Sequence, residues 1–160
     1  MILAATGHRP DNLGGFSPDV RMQLLQVAIA HLERHRPAAV ISGMALGWDQ
    51  AWAMAATTLN IPFIAAVPFA GQESVWPTAS RETYRSLLGL ASEVVTVSQG
   101  GYTARKMQRR NEWMVDRADG IVALWDGTFG GTHNCVLYAE KKGKPIDNLW
   151  SRYEVAQLLG

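Results

Sequence analysis

A chain of 160 residues, 48% hydrophobic and 18% charged, has the size and composition of one folded domain and excludes a disordered segment. A formal net charge of +1, from 15 basic and 14 acidic residues, lacks the positive excess of a nonspecific nucleic-acid binder. No apolar run approaches the ~20 residues of a membrane span, and the lone Cys135 excludes an internal disulfide.

Strand-like Met1–Ala5 opens the chain without the charged-then-apolar pattern of a signal peptide, so a cytoplasmic, membrane-free location is expected. Apolar runs and helix-period segments then alternate, the pattern of an α/β fold with a mainly parallel sheet of about six strands. Strands are expected at Ile2–Thr6, Ala39–Ser42, Phe63–Val67, Glu93–Val97, Gly120–Leu124 and Pro145–Asn148. They are apolar on both faces, as strands covered by helices on both sides must be. Ser17-Pro18-Asp19 combines a capping hydroxyl, a first-turn proline and an acid at the positive dipole end. The helix it starts carries Leu24, Leu25, Val27, Ala28 and Leu32 at helical spacing, as far as about His35. Further helices are expected over about Gly47–Leu59, Thr78–Leu90, Arg105–Ala118 and Gly131–Lys142, and Ser151 is expected to cap a last one ending at Leu159. No repeat or linker interrupts the pattern, so residues 1–160 read as one domain.

In an open parallel sheet, ligands sit beyond the carboxyl ends of the strands, where strand order reverses. Each unusual loop of this chain follows a strand end: Gly7–Phe16, Gly43–Trp48, Pro68–Pro77, Gly100–Tyr102 and Trp125–Gly131. Two of them, Ser42-Gly43 through Gly47-Trp48-Asp49 and Asp126-Gly127 through Gly130-Gly131-Thr132, are glycine-bearing and open helices. Glycine lets backbone approach a ligand, and a helix start offers free amides and a positive dipole end to an anion. Both are therefore expected to cradle phosphate. The second lacks the lysine of an ATP-hydrolysing phosphate loop.

Other candidates come from single side chains. Thr6-Gly7-His8-Arg9 ends the first strand: Arg9 suits phosphate or carboxylate, and His8 is either a general acid–base group or a loop histidine bonded to backbone. Asp49, in a first helical turn, either complements the dipole or accepts a ribose hydroxyl and pairs with an arginine. Gln72 and Trp76 offer an amide and a stacking face for a base, although Trp76 equally suits a loop anchor. Within the basic cluster Arg105-Lys106 and Arg109-Arg110, helical geometry lets one of the adjacent arginines face a pocket, and Arg110 with Asn111 is the choice. Trp52 reads as core, Cys135 as a buried small hydrophobe, and His31 and His35 as a solvated helix face. No metal-ligand spacing is visible, and no cofactor is expected.

Thr6-Gly7-His8-Arg9-Pro10 with Leu13-Gly14-Gly15, Ser42-Gly43 with Ala45-Leu46-Gly47-Trp48-Asp49, and Arg110–Asp116 through Gly130-Gly131-Thr132 to Pro145-Ile146 resemble the SLOG superfamily of Smf/DprA and LOG proteins. The resemblance covers nearly the whole chain and is greatest to the YspA/YpsA-like branch, which includes phage and prophage members. It implies a Rossmann-like three-layer α/β sandwich and a nucleotide-derived ligand, ADP-ribose-like molecules being favoured for this branch. LOG relatives cleave the N-glycosidic bond of nucleoside monophosphates with an arginine in a Met-x-x-Arg pattern, matched by Met107 and Arg110, and a glutamate whose position is Asn134 here. An amide cannot act as general base.

The leading expectation is therefore a cytoplasmic binder of a phosphorylated nucleoside or ADP-ribose-type ligand, acting as sensor, carrier or sequestering protein. A nucleotide N-glycosidase is the alternative, with Asp49, Glu73 or His8 replacing the missing glutamate. DprA-like binding of single-stranded DNA is the third reading, disfavoured by the charge balance. Family analogy suggests a homodimer or higher homo-oligomer.

Overall fold

A computed structural model describes residues 1–160. Six parallel strands form one sheet: β1 (Ile2–Gly7), β2 (Ala39–Ser42), β3 (Phe63–Val67), β4 (Glu93–Thr96), β5 (Gly120–Leu124) and β6 (Ile146–Asn148), in the spatial order β4-β3-β2-β1-β5-β6. Winding runs outward from β1 to β4 and then restarts on the other side of β1 with β5. The reversal point thus lies between β1 and β5, whose register pairs Gly7 with Leu124 at the carboxyl end.

Strand alternation sorts the core into two layers. Leu3, Ala5, Val40, Phe63 and Val122 face α1 (Pro18–His35), α2 (Trp48–Thr58), α3 (Thr78–Leu88) and α6 (Trp150–Leu159). Ala4, Ile41, Ala66 and Ile121 face α4 (Ala104–Arg117) and α5 (Gly131–Lys141). The first layer holds the large aromatics: Trp48 and Trp52 are fully buried with ring centroids 5.9 Å apart. Truncating such a residue to alanine costs about 3–5 kcal/mol.

Helix starts divide into two kinds. The hydroxyls of Ser17 and Thr103 accept from the amides of Val20 at 3.2 Å and Lys106 at 3.1 Å, which satisfies one orphan donor at each start. α2 and α5 instead begin after Gly47 and Gly130, with no side-chain cap. The expected cap at Ser151 is corrected: Leu149 takes the cap position, so α6 starts two residues earlier, and Asn148 Oδ1 accepts from the Trp150 amide at 3.2 Å. The expected solvated face at His31 is corrected too, since His31 is 2% exposed while His35 is exposed.

Candidate functional site

A cavity of about 470 Å³ opens at the carboxyl ends of β1 and β5, at the reversal point of the sheet. Its lining comes from Thr6 and Gly7 at the end of β1 and His8 and Arg9 after it, from Arg110 and Asn111 of α4, and from Gly130, Gly131 and Thr132 at the start of α5. The lining is mostly polar, and the volume is in the range of small-molecule sites.

The start of α5 follows from its glycines. Gly130 has φ +148°, a region side chains avoid, and turns the chain from the β5 loop into the helix. The first helical bond runs from the Asn134 amide to the Gly130 carbonyl at 3.0 Å. The amides of Gly131, Thr132 and His133 therefore have no helical partner, and these three residues line the cavity. Cβ positions at Gly130 and Gly131 would meet no atom within 4 Å, so internal packing does not demand glycine there.

Arg110 is 4% exposed and held as a fork. Its Nη1 donates to the carbonyls of Gly43 at 2.6 Å and Ala66 at 3.3 Å, and its Nε to Asn111 Oδ1 at 3.2 Å. Nη2 makes no protein hydrogen bond. Burial lowers the guanidinium pKa, and the neighbouring Asp49 opposes that shift; charge is retained because the ordinary value is so high.

Asp49, on the first turn of α2, is 5% exposed and also borders the cavity. One carboxylate oxygen accepts weakly from the Ala45 amide at 3.4 Å, and the other has no partner. Burial pushes its pKa up from 3.8 to about 6, against the pull of Arg110, the Ala45 amide and Arg9. A carboxyl poised there exchanges its proton near neutrality.

The loop after β5 is tied to the loop after β1 through His8. Asp126 Oδ1 lies 2.7 Å from His8 Nε2, and the Asp126 amide lies 3.1 Å from the same nitrogen. That nitrogen takes one role at a time: it donates to the carboxylate when protonated, or accepts from the amide when not. The Thr128 hydroxyl and amide also donate to Asp126 Oδ1, at 2.6 Å and 3.0 Å, and the hydroxyl is the main reason the carboxyl is held down at about 2. The His8 ring rests edge-on against Trp150 at 5.6 Å.

Several expected site residues do not reach the cavity. Gly43 lies behind Arg110, and a Cβ there would approach the guanidinium to 2.4 Å. Gly47, at φ +94°, packs against the His8 carbonyl. Ser42 closes its own turn by donating to the Asp49 carbonyl at 2.7 Å. The expectation that the loop after β2 also cradles phosphate is thus corrected: it supports Arg110 and sends only Ala45 and Asp49 to the cavity. Gln72 is buried and donates to the Gly43 carbonyl at 3.2 Å, so it props the same loop. Trp76 stands edge-on to Tyr84 at 5.3 Å and Glu73 faces Arg85 at 3.5 Å, both away from the cavity. Asp126 and Gly127 shape the β5 loop without lining the cavity.

Sequence reasoning missed the mouth. Tyr102 and Phe129 border the cavity and are 69% and 91% exposed, with Phe129 stacked on His133 at 4.9 Å. An apolar aromatic directly before two glycines, in the loop after β5, was the signal available. Met107, Gln108 and Asn134 border the cavity as well.

Comparison with known proteins agrees with this fold. The chain is 37% identical over 117 residues to the SPbeta prophage-derived protein YoqJ of Bacillus subtilis (strain 168), covering 63% of this chain and 68% of that protein. Its fold is similar to DNA processing protein A (DprA) of Helicobacter pylori, with a TM-score of 0.66 and 18% identity over 91% of this chain and 63% of that one. DprA of Streptococcus pneumoniae gives a TM-score of 0.65 and 19% identity over 90% of this chain, which spans only 48% of that larger chain. The sequence model of the YspA SLOG family matches residues 3–151, and the chain belongs to that family.

Proposed function

We propose that the cavity between β1 and β5 binds a phosphorylated nucleoside or an ADP-ribose-type nucleotide, and that the protein acts as its receptor, carrier or sequestering agent. One observation carries this reading: the buried Arg110 guanidinium and the uncapped amides of Gly131–His133 border the same cavity. A buried cation and a helix start are both anion-favouring, and each is costly to leave without a partner. Arg9 adds an exposed second cation at the mouth. Phe129 and Tyr102 offer faces on which a base can stack, and the unpartnered Asp49 oxygen suits a sugar hydroxyl. DprA is a DNA processing protein, and that of Helicobacter pylori binds single-stranded DNA; a chain of net charge +1 with a compact cavity at the strand ends suits a small nucleotide better.

The test is calorimetric titration with ADP-ribose, AMP and a ribose lacking phosphate, using the wild type and Gly131→Asp. A Cβ at this position meets no atom within 4 Å, and an acid in the first turn favours the helix, so folding is expected to be retained. It places a carboxylate beside the expected phosphate, and like charges there cost several kcal/mol. Binding of the phosphorylated ligands is expected to weaken about a hundredfold or more. Absence of heat with every nucleotide, or equal affinity of the variant, overturns the reading.

A hydrolytic second reading rests on Asp49 alone, whose carboxyl near 6 is suited to proton transfer where Asn134 is not. Release of free base from a nucleoside monophosphate, abolished in Asp49→Asn, supports it; full recovery of intact nucleotide removes it.

A further inference from the structure

The amino ends of the strands, on the rim opposite the cavity, carry a second constellation. His31 and His35 lie one turn apart at the end of α1, and Asp147 lies on the edge strand β6. One nitrogen of each imidazole and one carboxylate oxygen of Asp147 all fall within 4.8 Å of one another. They border a cleft of about 170 Å³ formed with Met1, Leu3, Asp119 and Pro145. His31 is 2% exposed, yet neither of its ring nitrogens has a hydrogen-bond partner. Its Nε2 stands 3.9 Å from Asp147 Oδ2, too long for a hydrogen bond. An orphaned buried imidazole costs about 1–3 kcal/mol, so its position asks for a ligand.

We propose that His31, His35 and Asp147 form a binding site for a divalent transition-metal ion of the zinc type. Two nitrogens and one carboxylate oxygen are the donor set of open zinc sites, with a water in the fourth position. Two ligands each about 2.0–2.1 Å from a tetrahedral ion stand about 3.3 Å apart, so the 3.9 Å pair needs a shift of a few tenths of an ångström. The remaining closure falls to His35 and Asp147, both exposed and free to turn. The His31 and His35 rings already stack at 4.3 Å, 33° from parallel. Arg34 and Arg152 act on His31 as like charges and oppose a bound cation, leaving Asp147 as the compensating charge. A bound ion would join the end of α1 to the outermost strand.

The experiment is titration of the intact chain with Co²⁺, read by visible d–d absorption, followed by displacement with Zn²⁺. The exposed substitutions His35→Ala and Asp147→Asn are the controls, because His31→Ala alters the core. The wild type is expected to give the intense bands of a tetrahedral site and a Zn²⁺-dependent rise in thermal midpoint. Each variant is expected to bind roughly tenfold more weakly or worse. No cobalt spectrum in the wild type, or affinity unchanged in either variant, overturns the site.

Discussion

Replacing Asp49 by Asn tests the electrostatics of the cavity directly. In the folded chain the Asp49 carboxyl keeps its proton up to a pH of about 6, whereas the unfolded chain releases it near 3.8. Between these values the folded state binds more protons than the unfolded one, so stability falls as pH rises through the window and stays reduced above it. A displacement from 3.8 to about 6 is worth about 3 kcal/mol against the charged form at neutral pH. That figure already contains the attraction of Arg110 and Arg9, and Asp49 is too buried for solvent to screen it. Asp49→Asn carries no charge at any pH. The ligand-free variant is therefore expected to be more stable than the wild type by up to about 3 kcal/mol at pH 7, with a much smaller difference at pH 4. Urea unfolding of both proteins from pH 4 to 8 gives the difference curve. A variant no more stable than the wild type at pH 7, or a difference independent of pH, refutes the reasoning. The same variant is expected to lose nucleotide affinity, the signature of a residue kept for binding at the expense of stability.

Three further outcomes are expected. Gly7→Ala puts a Cβ 2.4 Å from Trp48 Cδ1 and 2.7 Å from its Cβ, with Trp48 fully buried, so overpacking should cost about 1–3 kcal/mol in urea unfolding. Phe129→Ala, at a 91% exposed position, should leave the unfolding midpoint unchanged and weaken nucleotide binding by about 1–3 kcal/mol in calorimetry, the scale of base stacking. Cys135 is 1% exposed and its thiol is pushed up to about 11 mainly by burial, so it should resist maleimide in native buffer at pH 7 and react once urea unfolds the chain.

The inner strands β1, β2, β3 and β5 were legible because each is a short apolar run between helix-period segments, and that pattern admits few topologies; the edge strands β4 and β6 are largely exposed and not apolar on both faces. Ser17 was readable as a cap because proline and an acid follow it; Asn148 was not, because its role depends on pairing with the backbone of Trp125 across the β5 edge. Among the cavity-lining residues, those next to a strand end along the chain were legible: Thr6 to Arg9 at the end of β1, and Gly130 to Thr132 at the start of α5. Errors arose where tertiary packing decides which way a loop turns. Gly43 reads as a ligand-approach glycine, yet the atom it admits is a guanidinium of its own chain. Trp76 and Gln72 have the chemistry of base recognition, but the turn over residues 72–75 points that chemistry at Tyr84 and Gly43. His31 was misplaced on a solvated face because two histidines four apart do not reveal which side of α1 meets Trp52, 6.1 Å away.

The loop after β2 therefore acts on the site at one remove. Its Gly43 carbonyl receives both Arg110 Nη1 and Gln72 Nε2, while Ser42 and Gln50 tie the turn to the start of α2 through the Asp49 and Met44 carbonyls. These buried polar groups bond mainly to one another, and together they fix the plane of a guanidinium that has few rotamers left. A long cationic side chain ordinarily loses up to about 2 kcal/mol of rotamer freedom when a ligand immobilises it. Arg110 has met that cost on folding, so the proposed phosphate ligand would meet a preorganised cation rather than a mobile one. Substitutions in the second layer should then act through Arg110. Gln72→Leu keeps a side chain of similar length but frees one side of the Gly43 carbonyl. It is expected to weaken nucleotide binding in calorimetry while leaving every cavity-lining residue unchanged. Wild-type affinity in that variant would mean that α4 alone positions the arginine.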